Sequence, residues 1–338
     1  MSSDVRYGVA DSVGSLLAAI AHSISEALRI MSFSDKQLWG MDEHEHQRAL
    51  EEVLDEARKD FQEMGPLVNG DIYYENDRTH DSLQELCLLR DRFQAHALSL
   101  REWSRSGGPI DPVWTRDTHR LQRDLHRAQC RAASRIFTSG QEGSARCLGA
   151  FLVYRKQRVW SNRQAAGVEE GEYQKRYLEE LRTCNRIGTF QRFGEADIAF
   201  VCDYCDGHLL WDDLDKMPSV RTAQETVLWP TTPISPSTGD PQWQATGFSH
   251  SKHEEKQVVF APVAIANHTS PHPGDWRARL LCPFCEDEAA VPRDKDDEED
   301  RWRPEATFDD IAAFEEHLLW QHTTQKSSIA STGNCAVM

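Results

Sequence analysis

The chain has 338 residues, 39% of them hydrophobic, and 38 basic against 55 acidic side chains leave a formal net charge of -17. That length suits about two domains with packed cores and excludes disorder throughout. So acidic a chain is repelled by nucleic acid and by anionic membrane unless a basic patch is segregated, and it contains no run of about 18 apolar residues that would make a membrane-spanning helix. Met1 to Asp11 lacks the basic-then-apolar layout of a secretory signal. Nine cysteines in such a chain point to metal or thiol chemistry rather than to a disulfide framework. The expected location is cytoplasmic, with a nuclear alternative.

In chain order, apolar residues first recur at helical spacing. Val9, Val13, Leu16, Leu17, Ile20, Ile24 and Leu28 form one helix face. Leu50, Val53, Leu54, Ala57 and Phe61 form a second, expected to stop at Gly65-Pro66. Leu83, Leu86, Phe93, Ala97, Leu98 and Leu100 form a third, ending before Gly107. Leu121, Leu125, Ala128, Ala132 and Ile136 form a fourth, closed by Gly140, and Glu172 to Arg186 makes a fifth around Tyr177, Leu178 and Leu181. Short polar connections between such helices favour a bundle. Beyond residue 192 the pattern shifts to short β-prone pieces, Ile198 to Val201 and Val258 to Phe260, around a Pro/Ser/Thr stretch at 230–236 and an acidic run at 294–300.

The expected fold class is therefore α plus a small α/β zinc module. An N-terminal helical bundle covers 1–192 and a zinc-binding domain covers 193–322, with inserted loops at 228–248 and 289–305. A disordered tail covers 323–338.

Two C-x-x-C pairs carry the chemistry, each followed by a close histidine pair. Cys202 and Cys205 precede His250 and His253; Cys282 and Cys285 precede His317 and His322. Zinc takes four thiolate or imidazole ligands in a tetrahedron, and a two-residue gap lets both thiolates of one turn reach the ion. One or two Zn2+ ions are thus expected. At the first site His208, His268 and His272 compete with His250 and His253, and a single four-cysteine ribbon built from both pairs is an alternative. Cys282-Pro-Phe-Cys285, Phe314 and His317-x4-His322 resemble the C2H2 zinc-finger family. The resemblance implies zinc and a binding role. It departs from the family in a 31-residue spacer where about 12 is usual. The histidines are expected on a helix from Phe308 to Gln321, capped by Thr307.

From Asp197 to His322 there are 25 acidic and 10 basic residues, so this region carries -15 of the net charge. Phosphate contacts need the opposite sign, which disfavours DNA reading by the zinc region. The basic excess lies in the helical part, where Arg116, Arg120, Arg123, Arg127, Arg131 and Arg135 recur at steps of three or four. That stripe is either a solvated flank paired with Glu51, Glu52, Asp55 and Glu56 (or with the acidic zinc region), or a docking face for an acidic partner or nucleic-acid phosphates.

Cys335-Ala-Val-Met338 resembles the CaaX prenylation box, which implies a farnesyl group on Cys335, a prenyltransferase partner and transient membrane contact. His44 and His46 beside Glu43 and Glu45 are a weaker metal candidate on a solvated helix start, and Cys87, Cys130, Cys147 and Cys184 read as packing thiols. No nucleotide-binding or hydrolase motif stands in a fitting context. The leading expectation is a non-enzymatic zinc-binding interaction or regulatory protein with an unidentified protein partner and no evident small-molecule substrate. A DNA-binding zinc-finger regulator is the alternative, and a zinc hydrolase comes third.

Overall fold

The computed structural model describes residues 11–140, 146–164, 170–194, 197–211, 244–249, 254–259, 262–290 and 307–323. It is mostly helical with small sheets. The chain forms two compact units that divide at Glu142 and Gly143, well before the boundary expected at 192. The fifth expected helix, and a helix over 148–164 that the periodicity did not predict, therefore belong with the cysteine-bearing strands.

In the first unit, α1 (Val13–Phe33), α2 (Met41–Leu67), α4 (His80–Ser106) and α5 (Val113–Gly140) form a bundle, with the short α3 (Asp71–Glu75) leading into α4. α1 packs on α2 and α4, and α5 packs on the same two helices. Ser12 starts α1 through a reciprocal pair: its hydroxyl accepts from Ser15 N–H, and its own N–H donates to Ser15 Oγ at 2.8 Å. Val13, Leu16, Leu17, Ile20, Ile24, Ala27, Ile30 and Met31 turn inward at helical spacing, as periodicity predicts. Against the expectation of none, α1 is long and apolar enough, by length and composition alone, to cross a membrane. Its apolar stripe faces its neighbours in the bundle. α2 runs one residue past Pro66, which removes one N–H···O=C bond from the last turn and is followed by the end of the helix at Leu67. Phe61 and Leu98, expected inside, are 36% and 54% exposed, since each lies at the margin of its stripe.

Buried polar groups tie the bundle. Glu43 accepts from Gly40 N–H at 2.8 Å and Ile110 N–H at 2.7 Å, fixing the start of α2 to the segment before α5. Burial opposes its charge, but those backbone donors prevail and lower its pKa. His46 and His96 meet at 3.1 Å between their Nε2 atoms, and His46 is fully buried. Burial, reinforced by the neighbouring His96, pulls His46 down to about 3 from 6.5, and burial also lowers His96. Both are neutral in the fold, whereas the unfolded chain takes up protons below about pH 6.5. The bundle should therefore weaken as pH falls from 6.5 toward 3, by up to about 1.4 kcal/mol per pH unit for His46. His126 acts in the other direction. Burial opposes its charge, yet hydrogen bonds to Asp60 and Cys130 raise it to about 11, so its contribution is full below 6.5 and fades only as pH rises. Hydrogen exchange of α2 and α4, corrected for intrinsic rates, should show protection falling between pH 7 and pH 5, with a flatter decline in His46→Leu. Equal protection at both pH values would refute this.

In the second unit, α6 (Leu148–Gln164) and α7 (Glu170–Ile187) pack together, and α7 runs directly into an antiparallel sheet of order β1-β2-β3: Gly188–Phe193, Asp197–Cys202 and His208–Trp211. The register pairs Gly188 with Cys202 and Val201 with His208, so the Cys202–Cys205 turn closes the β2–β3 hairpin. β4 (Gln244–Ser249) and β5 (Glu254–Val259) form a separate hairpin, followed by α8 (Pro262–Ala266). β6 (Leu280–Leu281) leads into α9 (Pro283–Ala290) and pairs with β7 (Thr307–Phe308), which precedes α10 (Ile311–His317) and a π-helical turn, Leu318–Thr323. The expected Thr307 cap is instead a strand residue; Asp310 caps α10, accepting from Ala313 N–H at 2.7 Å.

Candidate metal centres

Cys282, Cys285, His317 and His322 come together as expected. β6 delivers Cys282 and the first turn of α9 holds Cys285, with Glu286 N–H donating to Cys282 O at 3.1 Å. The histidines are five residues apart, a step that on an ideal α-helix would rotate the second ring about 140° from the first. The π-helical turn after His317 removes that offset, bringing the two Nε2 atoms to 3.3 Å. Cys282 Sγ lies 3.3 Å from His322 Nε2, and Cys285 Sγ lies 3.3 Å from His317 Nε2 and 3.5 Å from His322 Nε2. With Zn–S near 2.3 Å and Zn–N near 2.0 Å, a tetrahedron has S···N edges of about 3.5 Å and an N···N edge of about 3.3 Å. These donors already stand at that spacing. Phe284 and Phe308 pack against the two imidazoles, with centroids 5.0 Å and 4.6 Å away, and fix their planes.

The other cluster corrects the sequence reading. Cys202 and Cys205 are joined by Cys147 and His268, all four donors lying within 4.8 Å of one another. Cys147, read as a packing thiol, is a candidate ligand. His268, one of the competitors, takes the histidine position; His208 and His272 do not join. His208 instead packs edge-on against Trp276, and His272 lies beside Arg279 on the surface. His250 and His253 lie outside the described residues. A single four-cysteine ribbon is excluded, because each C-x-x-C pair has its own cluster. The sequence signal for Cys147 was faint: it stands alone, 55 residues before Cys202.

Local structure explains the grouping. Cys147 immediately precedes α6 and its carbonyl accepts from Phe151 N–H at 2.8 Å, so its sulfur sits at a helix N-terminus, where negative charge is favoured. Its own N–H donates to His268 O at 3.1 Å, which ties the two ligands through the backbone. Cys147 Sγ and Cys202 Sγ are 3.8 Å apart, the S···S edge of a zinc tetrahedron at about 3.8 Å. Asp206 at φ 54 turns the knuckle. Gly149 admits the ligand, since a Cβ there would lie 3.0 Å from Cys202 Sγ.

His268 is fully buried. Its Nδ1–H donates to Ile265 O at 2.7 Å, while its buried Nε2 has no hydrogen-bond partner of ordinary geometry. That orientation is what a ligating imidazole needs: one nitrogen held by a carbonyl, the other free for a metal. Without an ion, burial opposes charge on every member. The neighbouring thiols and His268 nevertheless lower Cys147, and Cys147 and Cys205 raise His268 well above its ordinary value. Burial, with Cys147 and Cys205 beside it, raises Cys202. A divalent ion would displace the protons that this arrangement redistributes.

Among the described residues Glu56, Asp60 and His126 form a third group, in which Asp60 and His126 already make an ion pair at 2.7 Å. The His44–His46 candidate separates: His44 packs on Trp39 while His46 faces His96. The arginine stripe also divides. Arg116, Arg120 and Arg123 are exposed, whereas Arg131 and Arg135 turn onto Glu85 of α4 at 3.2 Å and 3.0 Å, a partner that sequence spacing did not indicate. Cys335 lies outside the described residues. No family model, curated protein or solved structure matches this chain.

Proposed function

We propose that the chain is a non-enzymatic, zinc-stabilised interaction protein, with one Zn2+ held by Cys147, Cys202, Cys205 and His268 and a second by Cys282, Cys285, His317 and His322. The observation that carries this reading is donor spacing. The 3.8 Å S···S edge in the first cluster and the 3.3–3.5 Å S···N and N···N edges in the second are of the size that tetrahedral zinc requires. Thiolate and imidazole donors without carboxylate suit zinc over magnesium or calcium. Four protein donors at each ion leave no coordination position for a reacting water, so the metal's work is to fold the segments that carry it. With 25 acidic against 10 basic residues between Asp197 and His322, the unit suits a protein partner better than phosphate.

Elemental analysis of the purified full chain tests this reading, and two zinc ions per chain are expected. A metal-free protein with the same fold would refute it.

A further inference from the structure

We propose that Arg146 couples the two metal centres, so that the chain takes up its two zinc ions cooperatively; this rests on the reading that both clusters hold zinc. Arg146 directly precedes Cys147, and Asn267 directly precedes His268, so both neighbour ligands of the first centre. Glu286 directly follows Cys285, a ligand of the second. Arg146 is 7% exposed and joins all three positions. Its Nε and Nη2 donate to Asn267 Oδ1 at 3.2 Å and 2.9 Å, and Nη2 reaches Glu286 Oε2 at 2.5 Å. The guanidinium lies over the Tyr154 ring, 4.0 Å from its centroid, and Asn267 Nδ2 donates to Val263 O at 2.8 Å, which leaves the amide one orientation.

The backbone makes the same connection. Arg146 bridges Thr269, His268 bridges Leu280, and Leu281 N–H donates to Asn267 O at 2.8 Å. The next residue after Leu281 is Cys282. The segment that positions His268 is thus hydrogen-bonded to the strand that delivers Cys282.

Charge supplies a reason for the coupling. Three thiolates and a neutral imidazole around a divalent ion leave a net charge of -1, and two thiolates with two imidazoles leave none. A buried guanidinium is costly unless paired, and an anionic centre beside Cys147 favours it. Once held, Arg146 presents a fixed cation to Glu286, which anchors the turn carrying Cys285. Filling one centre therefore orders the other, and the reverse holds by linkage.

Native mass spectrometry of the full chain, stripped and reduced and then titrated with zinc alone, tests this. The wild type should pass from metal-free to two-zinc with little one-zinc species. In Arg146→Ala the one-zinc species should accumulate, with second-ion affinity lowered on the order of 10-fold, within the usual range of coupling. Glu286→Gln, which alters a half-exposed side chain and so spares the fold, should shift the distribution the same way. A wild type in which the one-zinc form dominates at half saturation, or variants that titrate like the wild type, would overturn the coupling and leave both metal centres standing. A chain that binds no zinc, or only one ion, would overturn the metal reading and the coupling with it.

Discussion

Cys147→Ser is expected to cost the chain one of the two zinc ions proposed for it and to destabilise the unit from Gly143 onward by several kcal/mol. The residue is 2% exposed, at the start of α6, with its sulfur 3.8 Å from Cys202 Sγ. Serine keeps the size but replaces a thiolate that zinc binds strongly with a hydroxyl that it binds poorly. Zinc binding in small finger peptides is worth about 10–16 kcal/mol and appears there as folding energy, so loss of one ligand in four forfeits an appreciable part of it. Cys184→Ser is the matched comparison. Cys184 is equally buried but outside both clusters, so its replacement should cost about 1 kcal/mol, the ordinary figure for a point mutation, with both ions retained. Zinc content and thermal midpoint of the two variants separate the cases, and unchanged zinc in Cys147→Ser would remove this cysteine from the site.

Stripping the metal should act on one unit only. Neither cysteine–histidine cluster draws a residue from Met1–Glu142, whose stability comes from the apolar stripes of α1, α2, α4 and α5. Beyond α6 and α7 the second unit is built on short strands and short helices, two of its strands being only two residues long. Such elements bury little apolar surface and rely on cross-links. Under a strong chelator, limited proteolysis should cut throughout the second unit while α1 to α5 survive, and added zinc should restore protection. Simultaneous loss of both units, or no change in either, would contradict this division.

Much of this was legible in the sequence. The bundle was, because Val13 to Met31 or Leu121 to Ala132 repeat at the helical period and a buried stripe leaves that trace. The second centre was, because its ligands come as two close pairs. Cys147 was not, because a single cysteine reaching its partners across helices and a sheet has no spacing to betray it. His268 was visible only as one histidine among several, and the hydrogen bond to Ile265 O that selects it exists only in the fold. The boundary was misplaced for a related reason. α7 read as a bundle helix by period and α6 left no such trace, but Cys147 at the head of α6 and Gly188 at the end of α7 commit both to the sheet that carries the first cysteine–histidine cluster.

Zinc K-edge X-ray absorption of the intact, reduced chain addresses the metal centres most directly. Two four-coordinate ions with the eight donors named here have five sulfurs and three nitrogens between them. The spectrum should show sulfur at about 2.3 Å and nitrogen at about 2.0 Å in that proportion, with imidazole scattering beyond. A shell dominated by oxygen, or six-coordinate zinc, would contradict both sites.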